Sequence, residues 1–276
     1  MTNKKKISLS PILFNWNAET VRDFYLKVAD EIPADIVYLG EVNCHKLKAF
    51  SYKYIDEIIK KLSDAGKEVV LSTLALVVNK DAEKCVDEVI EIARSNDLSI
   101  EANDISTFQK LKDNRENTVI GSFVNVYNED TLAYFNGVKR VCLPFELSAE
   151  NADKLAAKTN TPIEFFTWGR VPLSISSRCF SAQANDKTEQ NCGMVCRGDT
   201  NGLDVRTLDN QEFLSVSGHM VLSDHYKRFT DIQNINIEVL RISPHNTDMK
   251  KVVEVYRKLI KGDILQQEAE NILSEI

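Results

Sequence analysis

Residues 162–197, PIEFFTWGRVPLSISSRCFSAQANDKTEQNCGMVCR, hold the reading on which the fold turns. The first six, Pro162–Thr167, form a short apolar run with little alternation, the pattern of a strand buried on both faces. The run leads straight into a cysteine-bearing stretch with neither a helical period nor a strand's length. Upstream, comparable runs stand at Leu9–Phe14, Asp35–Leu39, Glu68–Thr73, Leu98–Glu101, Thr118–Phe123 and Arg140–Leu143, and one more comes later at Ile235–Ile242. Amphipathic segments separate them. Asn15 or Asn17 caps a helix over Ala18–Glu31, and Gly66 ends one over Tyr52–Asp64. Further helices are expected at Asp81–Ser95, at Ile105–Lys112 behind Asp104, after Asn128, and from Ser148 to Lys158. Two more close the chain at Thr247–Ile260 and Ile264–Glu275. Strand–helix alternation of this kind predicts an α/β fold, a (β/α)8 TIM-like barrel; a doubly wound open sheet is the alternative. No linker divides residues 1–276, so one barrel domain is expected.

Residues 168–234, between the seventh and eighth runs, exceed an ordinary loop and read as an insertion acting as a lid. They contain a hairpin, Gln211–Val216 and His219–Leu222 around Ser217-Gly218. Loops after barrel strands lie at the C-terminal mouth, where active sites form. Cys44, after the second run, belongs to the same end.

Composition narrows the chemistry. The chain has 276 residues, 43% hydrophobic and 27% charged, with a net charge of -7, which lacks the basic footprint of a nucleic-acid binder. Its ten glycines build neither G-x-G-x-x-G nor G-x-x-x-x-G-K-[ST]. The start, MTNKKKISLSPILF, imitates a signal peptide, but its apolar run is short and Pro11 interrupts it. A solvated tail before the first strand is expected. No run approaches the ~20 apolar residues of a membrane span, so the reading is cytoplasmic. In a reducing compartment six cysteines point to metal or redox chemistry rather than disulfides.

Cys85 shares a helical face with Ala82, Val86, Val89 and Ala93, and Cys142 lies inside an apolar run; both read as packing. Cys44, Cys179, Cys192 and Cys196 remain. Twelve residues separate Cys179 from Cys192 and three separate Cys192 from Cys196. Four thiolates hold zinc or an iron–sulfur cluster. Structural zinc usually takes tight cysteine pairs, whereas a cluster tolerates ligands from scattered loops, and the spacing leaves both open. Arg178, Lys187, Gly193 and Arg197 flank the thiols as charges or backbone donors, or as plain loop residues. His45 is a donor to a cluster sulfur or a solvated histidine. His219, Asp224 and His225 sit close in GHMVLSDHY, with metal or triad chemistry set against ordinary hydrogen bonding. Trp168, Arg170 and Arg178 are candidates to meet an aromatic or carboxylate ligand at the mouth. Neither H-E-x-x-H nor G-x-S-x-G occurs, so a peptidase is not expected.

The residues WGRVPLSISSRCFSA and NCGMVCR, with Cys44 in the second βα loop and Leu240-Arg241-Ile242-Ser243-Pro244 near the end, resemble the collagenase-like U-32 peptidase family. The similarity is nearest to a branch serving oxygen-independent ubiquinone biosynthesis. It implies a 4Fe-4S cluster held by Cys44, Cys179, Cys192 and Cys196. It also implies a heterodimer with a related cluster-bearing protein, UbiU, and a lipid carrier, UbiT. Together these would hydroxylate the ring of ubiquinone precursors without dioxygen, with prephenate as oxygen donor. Two alternatives within the resemblance are an RNA (tRNA or rRNA) hydroxylation factor and a non-catalytic cluster-bearing scaffold.

Overall fold

The computed structural model describes residues 5–48 and 52–276. The first four residues of the expected N-terminal tail lie outside them. Eight parallel strands close a ring: β1 (Lys6–Leu9), β2 (Ile36–Gly40), β3 (Glu68–Ser72), β4 (Ser99–Ala102), β5 (Thr118–Ile120), β6 (Arg140–Cys142), β7 (Ile163–Ile175) and β11 (Val239–Ile242). Each pairs with the next, and β11 pairs with both β7 and β1, which leaves no open edge in the ring. This is the (β/α)8 barrel. The open doubly wound sheet is excluded by that closure.

The helices are α1 (Ala18–Glu31), α2 (Ile55–Asp64), α3 (Lys80–Ser95), α4 (Ile105–Leu111), α5 (Glu129–Tyr134), α6 (Ala149–Ala156), the short α7 (Phe180–Gln183), α8 (Met249–Lys261) and α9 (Gln266–Ser274). Side-chain caps begin most of them. Asn17 Oδ1 accepts from Thr20 N at 2.8 Å, Asn79 from Ala82 N at 2.8 Å and Asn128 from Thr131 N at 2.9 Å, each meeting a donor the helix leaves open. Asn15, the other candidate cap, is buried in the loop before α1 instead.

Two strands differ from their apolar runs. β1 stops at Leu9, because Pro11 has no N–H for the ladder. Residues 10–14 are buried as a loop, covered by the segment beyond β7. β11 begins only at Val239, and Ile235 and Ile237 are buried ahead of it, their carbonyls bonded by Lys5 Nζ at 2.7 and 2.8 Å.

The larger difference is at β7, which does not end at Thr167. It runs on through Trp168 to Ile175, beyond the ring, and there pairs antiparallel with β10 (Met220–Arg228). β9 (Glu212–Ser217) and β8 (Leu203–Arg206) complete the overhang. Among the described residues no other strand pairs with β7 past Trp168, and Pro172, paired with Leu222, stands where the β7–β10 register shifts, an irregularity that tolerates a missing N–H. Among the described residues no helix is long and apolar enough to cross a membrane.

Candidate functional site

The loop after β2 is tied down before it delivers a cysteine. Glu41 Oε1 accepts from the backbone N–H groups of Asn43 at 2.8 Å and Cys44 at 3.1 Å. Asn43 then reaches across to the overhang. Its Nδ2 donates to Ser217 O at 2.7 Å, and its Oδ1 accepts from His219 N at 2.8 Å. Gly218 turns the β9–β10 hairpin with φ +56°, and a Cβ there would lie 2.9 Å from the Asn43 amide. The close approach requires glycine twice, for conformation and for space.

The remaining thiols come from the segment between β7 and β8. Cys179 caps α7, its Sγ accepting from Ala182 N at 3.4 Å. Phe180 N donates to Gly218 O at 2.7 Å, so α7 rests on the hairpin turn. Gly193 and Met194 both adopt left-handed backbone, which curls the chain around Cys192, whose Sγ accepts from Met194 N at 3.5 Å. Cys196 comes next, in a turn of 3-10 helix.

Cys44, Cys179, Cys192 and Cys196 all line one cavity, with Leu47, Ala182, Met194, Val195 and His219 among its walls. All six cysteines are free thiols. Lys46 Nζ lies 3.8 Å from Cys192 Sγ and also bonds Glu189 O. Burial pushes the Cys44 thiol up to about 12, and Glu41, Cys179 and Cys196 add to the effect; burial likewise takes Cys196 to about 11 and raises Cys179. These thiols stay protonated unless a cation joins them, so metal uptake here would release protons. Among the described residues no group of three or more His, Cys, Asp or Glu side chains is placed to hold a single metal ion.

The other candidates scatter. His219 joins the cavity wall, with Nδ1 2.9 Å from Ser176 O; a carbonyl only accepts, so Nδ1 carries the proton. His225 is exposed and pairs with Asp224 at 2.6 Å. An unbroken strand would put His219 and His225, six residues apart, on one face, but His219 sits in the hairpin turn and β10 bulges between Leu222 and Tyr226. Arg178 and Arg197 are exposed. His45 is half-buried and does not line the cavity. Cys85 is buried on α3 with Ala82, Val86, Val89 and Ala93.

A second constellation, absent from the sequence reading, fills the barrel. Glu164 is fully buried and accepts from Ser8 Oγ at 2.6 Å, Tyr38 Oη at 2.6 Å, Arg140 Nε at 2.8 Å and Arg241 Nη1 at 2.8 Å. Burial alone would raise its pKa, but Arg241 and Arg140 outweigh it and hold the carboxyl below the usual range. Arg241 Nη2 continues to Glu101 Oε1 at 2.7 Å, and Ser72 Oγ donates to Glu101 Oε2 at 2.6 Å. Cys142 sits inside this network, 3.2 Å from Arg241 Nη1. The available signal was four charged residues inside runs otherwise apolar enough to be buried.

The model of peptidase family U32 matches residues 16–276. An uncharacterized protease of Methanocaldococcus jannaschii is 29% identical over 178 residues, 61% of this chain and 44% of that protein, so the matched part spans less than half of the relative. Among solved structures, a dihydrodipicolinate synthase of Agrobacterium tumefaciens overlaps 98% of this chain and 80% of its own at 11% identity and a TM-score of 0.40. A tryptophan synthase of M. tuberculosis overlaps 97% and 92% at 10% identity and a TM-score of 0.42.

Proposed function

From the premise that the chain belongs to peptidase family U32, we propose that it is the iron–sulfur subunit of an oxygen-independent hydroxylase, of the UbiV type. One observation carries the reading: Cys44 and the three cysteines beyond β7, drawn from distant parts of the chain, line one cavity. The donor set suits a 4Fe-4S cluster. It is all thiol, it contains no disulfide, and its four cysteines line one cavity. Backbone N–H groups of Ala182 and Met194 and the Lys46 ammonium face the sulfurs, the arrangement that stabilises thiolates and tunes a cluster's potential. When bound, the cluster would supply one-electron chemistry at the mouth of the barrel. The substrate would be the ring of a ubiquinone precursor, with prephenate as oxygen donor, a UbiU-like partner subunit and a UbiT-like lipid carrier.

Anaerobic reconstitution with ferrous iron and sulfide tests the reading. Wild type and the Cys85→Ala variant are expected to turn brown with about four irons and four labile sulfides per chain. Cys44→Ala, Cys179→Ala, Cys192→Ala and Cys196→Ala are expected to lose the chromophore. Colourless protein carrying one zinc and no sulfide would overturn the cluster. Loss of a modified nucleoside on gene deletion, with quinone unchanged, would favour RNA as substrate. Proteolysis surviving removal of all four cysteines would restore the peptidase reading.

A further inference from the structure

Around the phenol of Tyr226, where β7 and β11 leave the barrel, hydrogen-bond donors outnumber acceptors. The Trp168 ring stacks on Tyr226 with centroids 4.7 Å apart. Tyr226 Oη is 2.7 Å from His245 Nδ1, and the Arg170 guanidinium carbon lies 5.9 Å from the Tyr226 ring centre. Trp168 and His245 are more than nine-tenths buried. Among the described residues, Trp168 Nε1, Arg170 Nε and His245 Nε2 are buried and have no hydrogen-bond partner.

All three orphaned atoms are donors. Burial and the nearby Arg170 hold His245 neutral, with its pKa lowered to about 4. Burial raises the Tyr226 phenol, so it keeps its proton, and the Arg170 guanidinium beside it turns that hydrogen towards Nδ1. A neutral imidazole that accepts at Nδ1 carries its proton on Nε2. A buried donor left without a partner is costly, so three beside one ring are an expensive arrangement for packing alone. The backbone is irregular in the same place. β7 carries an extra residue opposite β11 between Phe166 and Trp168, Gly169 has φ +131° against Ser243, and β10 bulges just before Tyr226. Bulges of this kind re-aim side chains at barrel rims.

We propose that these residues form a seat for a small carboxylate, whose oxygens accept from Trp168 Nε1, Arg170 Nε and His245 Nε2. Arg170 is the cation at the seat, offset in part by Asp224, whose carboxyl is held low by His225 first and by Arg170 as well; with two neutral donors this suits at most a single negative charge. Arg228 also lies over the Tyr226 ring, but its Nε bonds Leu273 O at 3.0 Å. The seat needs no iron, so it stands whether or not the cluster reading does.

Benzoate and inorganic phosphate are the probes, titrated separately onto anaerobically purified full-length protein and followed by calorimetry. The chain has two tryptophans, so a Trp16→Phe background makes emission report Trp168 alone. Saturable benzoate binding is expected, at least about tenfold tighter than phosphate. Arg170→Lys keeps the charge but lacks Nε–H, and His245→Phe lacks Nε2–H; each is expected to weaken benzoate about tenfold or more, the loss of one charged or buried hydrogen bond. Arg206→Gln, on β8, leaves it unchanged. Circular dichroism and thermal melts establish that each variant is folded. No saturable benzoate response in wild type, phosphate binding as tightly as benzoate, or folded variants with wild-type affinity would each overturn the seat.

Discussion

His245 makes stability depend on pH in a definite window. Its folded pKa of about 4 lies below the ordinary value of 6.5, through burial first and Arg170 second. The unfolded chain therefore binds more protons between those values, and stability is complete above pH 6.5 and lost as pH falls towards 4. The loss amounts to about 3 kcal/mol. Urea titrations across that range are expected to show the slope in wild type and a flatter one in His245→Phe; equal slopes would mean that the imidazole charges freely in the fold. Single residues also mark where sequence reading fell short. The cap at Asn17 is legible from its spacing to Thr20, but the choice between it and Asn15 depends on which amide the fold buries. Glu101, Arg140, Glu164 and Arg241 are charges in buried runs, and their pairing spans strands far apart in sequence. No local pattern contains it.

Helices and strands were legible where burial imposes a period, and misplaced where a loop is buried for another reason. Residues 10–14 look like a strand because the overhang covers them. The link is explicit: Leu13 O accepts from Ser217 Oγ at 3.1 Å, and Trp16 Nε1 donates to Thr200 O at 2.8 Å. The β9–β10 hairpin was readable from Ser217-Gly218, yet its use as a dock for the β2 loop was not. Asn43 carries that dock with two short bonds to the hairpin. Asn43→Ala leaves a buried carbonyl and a buried N–H unpaired, at about 1–3 kcal/mol. Hydrogen exchange at Ser217–Met220 is expected to accelerate tenfold or more, while amides in β3 to β5 keep their rates. Unchanged exchange at the hairpin would show that α7 holds it alone.

At the scale of the molecule, strand–helix alternation made the barrel readable, because a parallel strand covered on both faces has few ways to look other than apolar. The continuation of β7 was hidden by the same rule: beyond Trp168 only one face is covered, and the run turns mixed. A bound group that recognises only the folded state should stabilise the whole ring. Chelation of reconstituted protein is expected to lower Tm by about 5 °C or more. An unchanged Tm would separate the cysteines from stability. One strand, meanwhile, belongs to two neighbourhoods. Its first six residues are a stave of the ring, and the rest carry the hairpin and frame the thiols. Any attempt to cut the overhang away, or to graft it onto another barrel, must therefore sever or transplant a stave. The two parts are welded rather than hinged, and they would be inherited, exchanged or lost together.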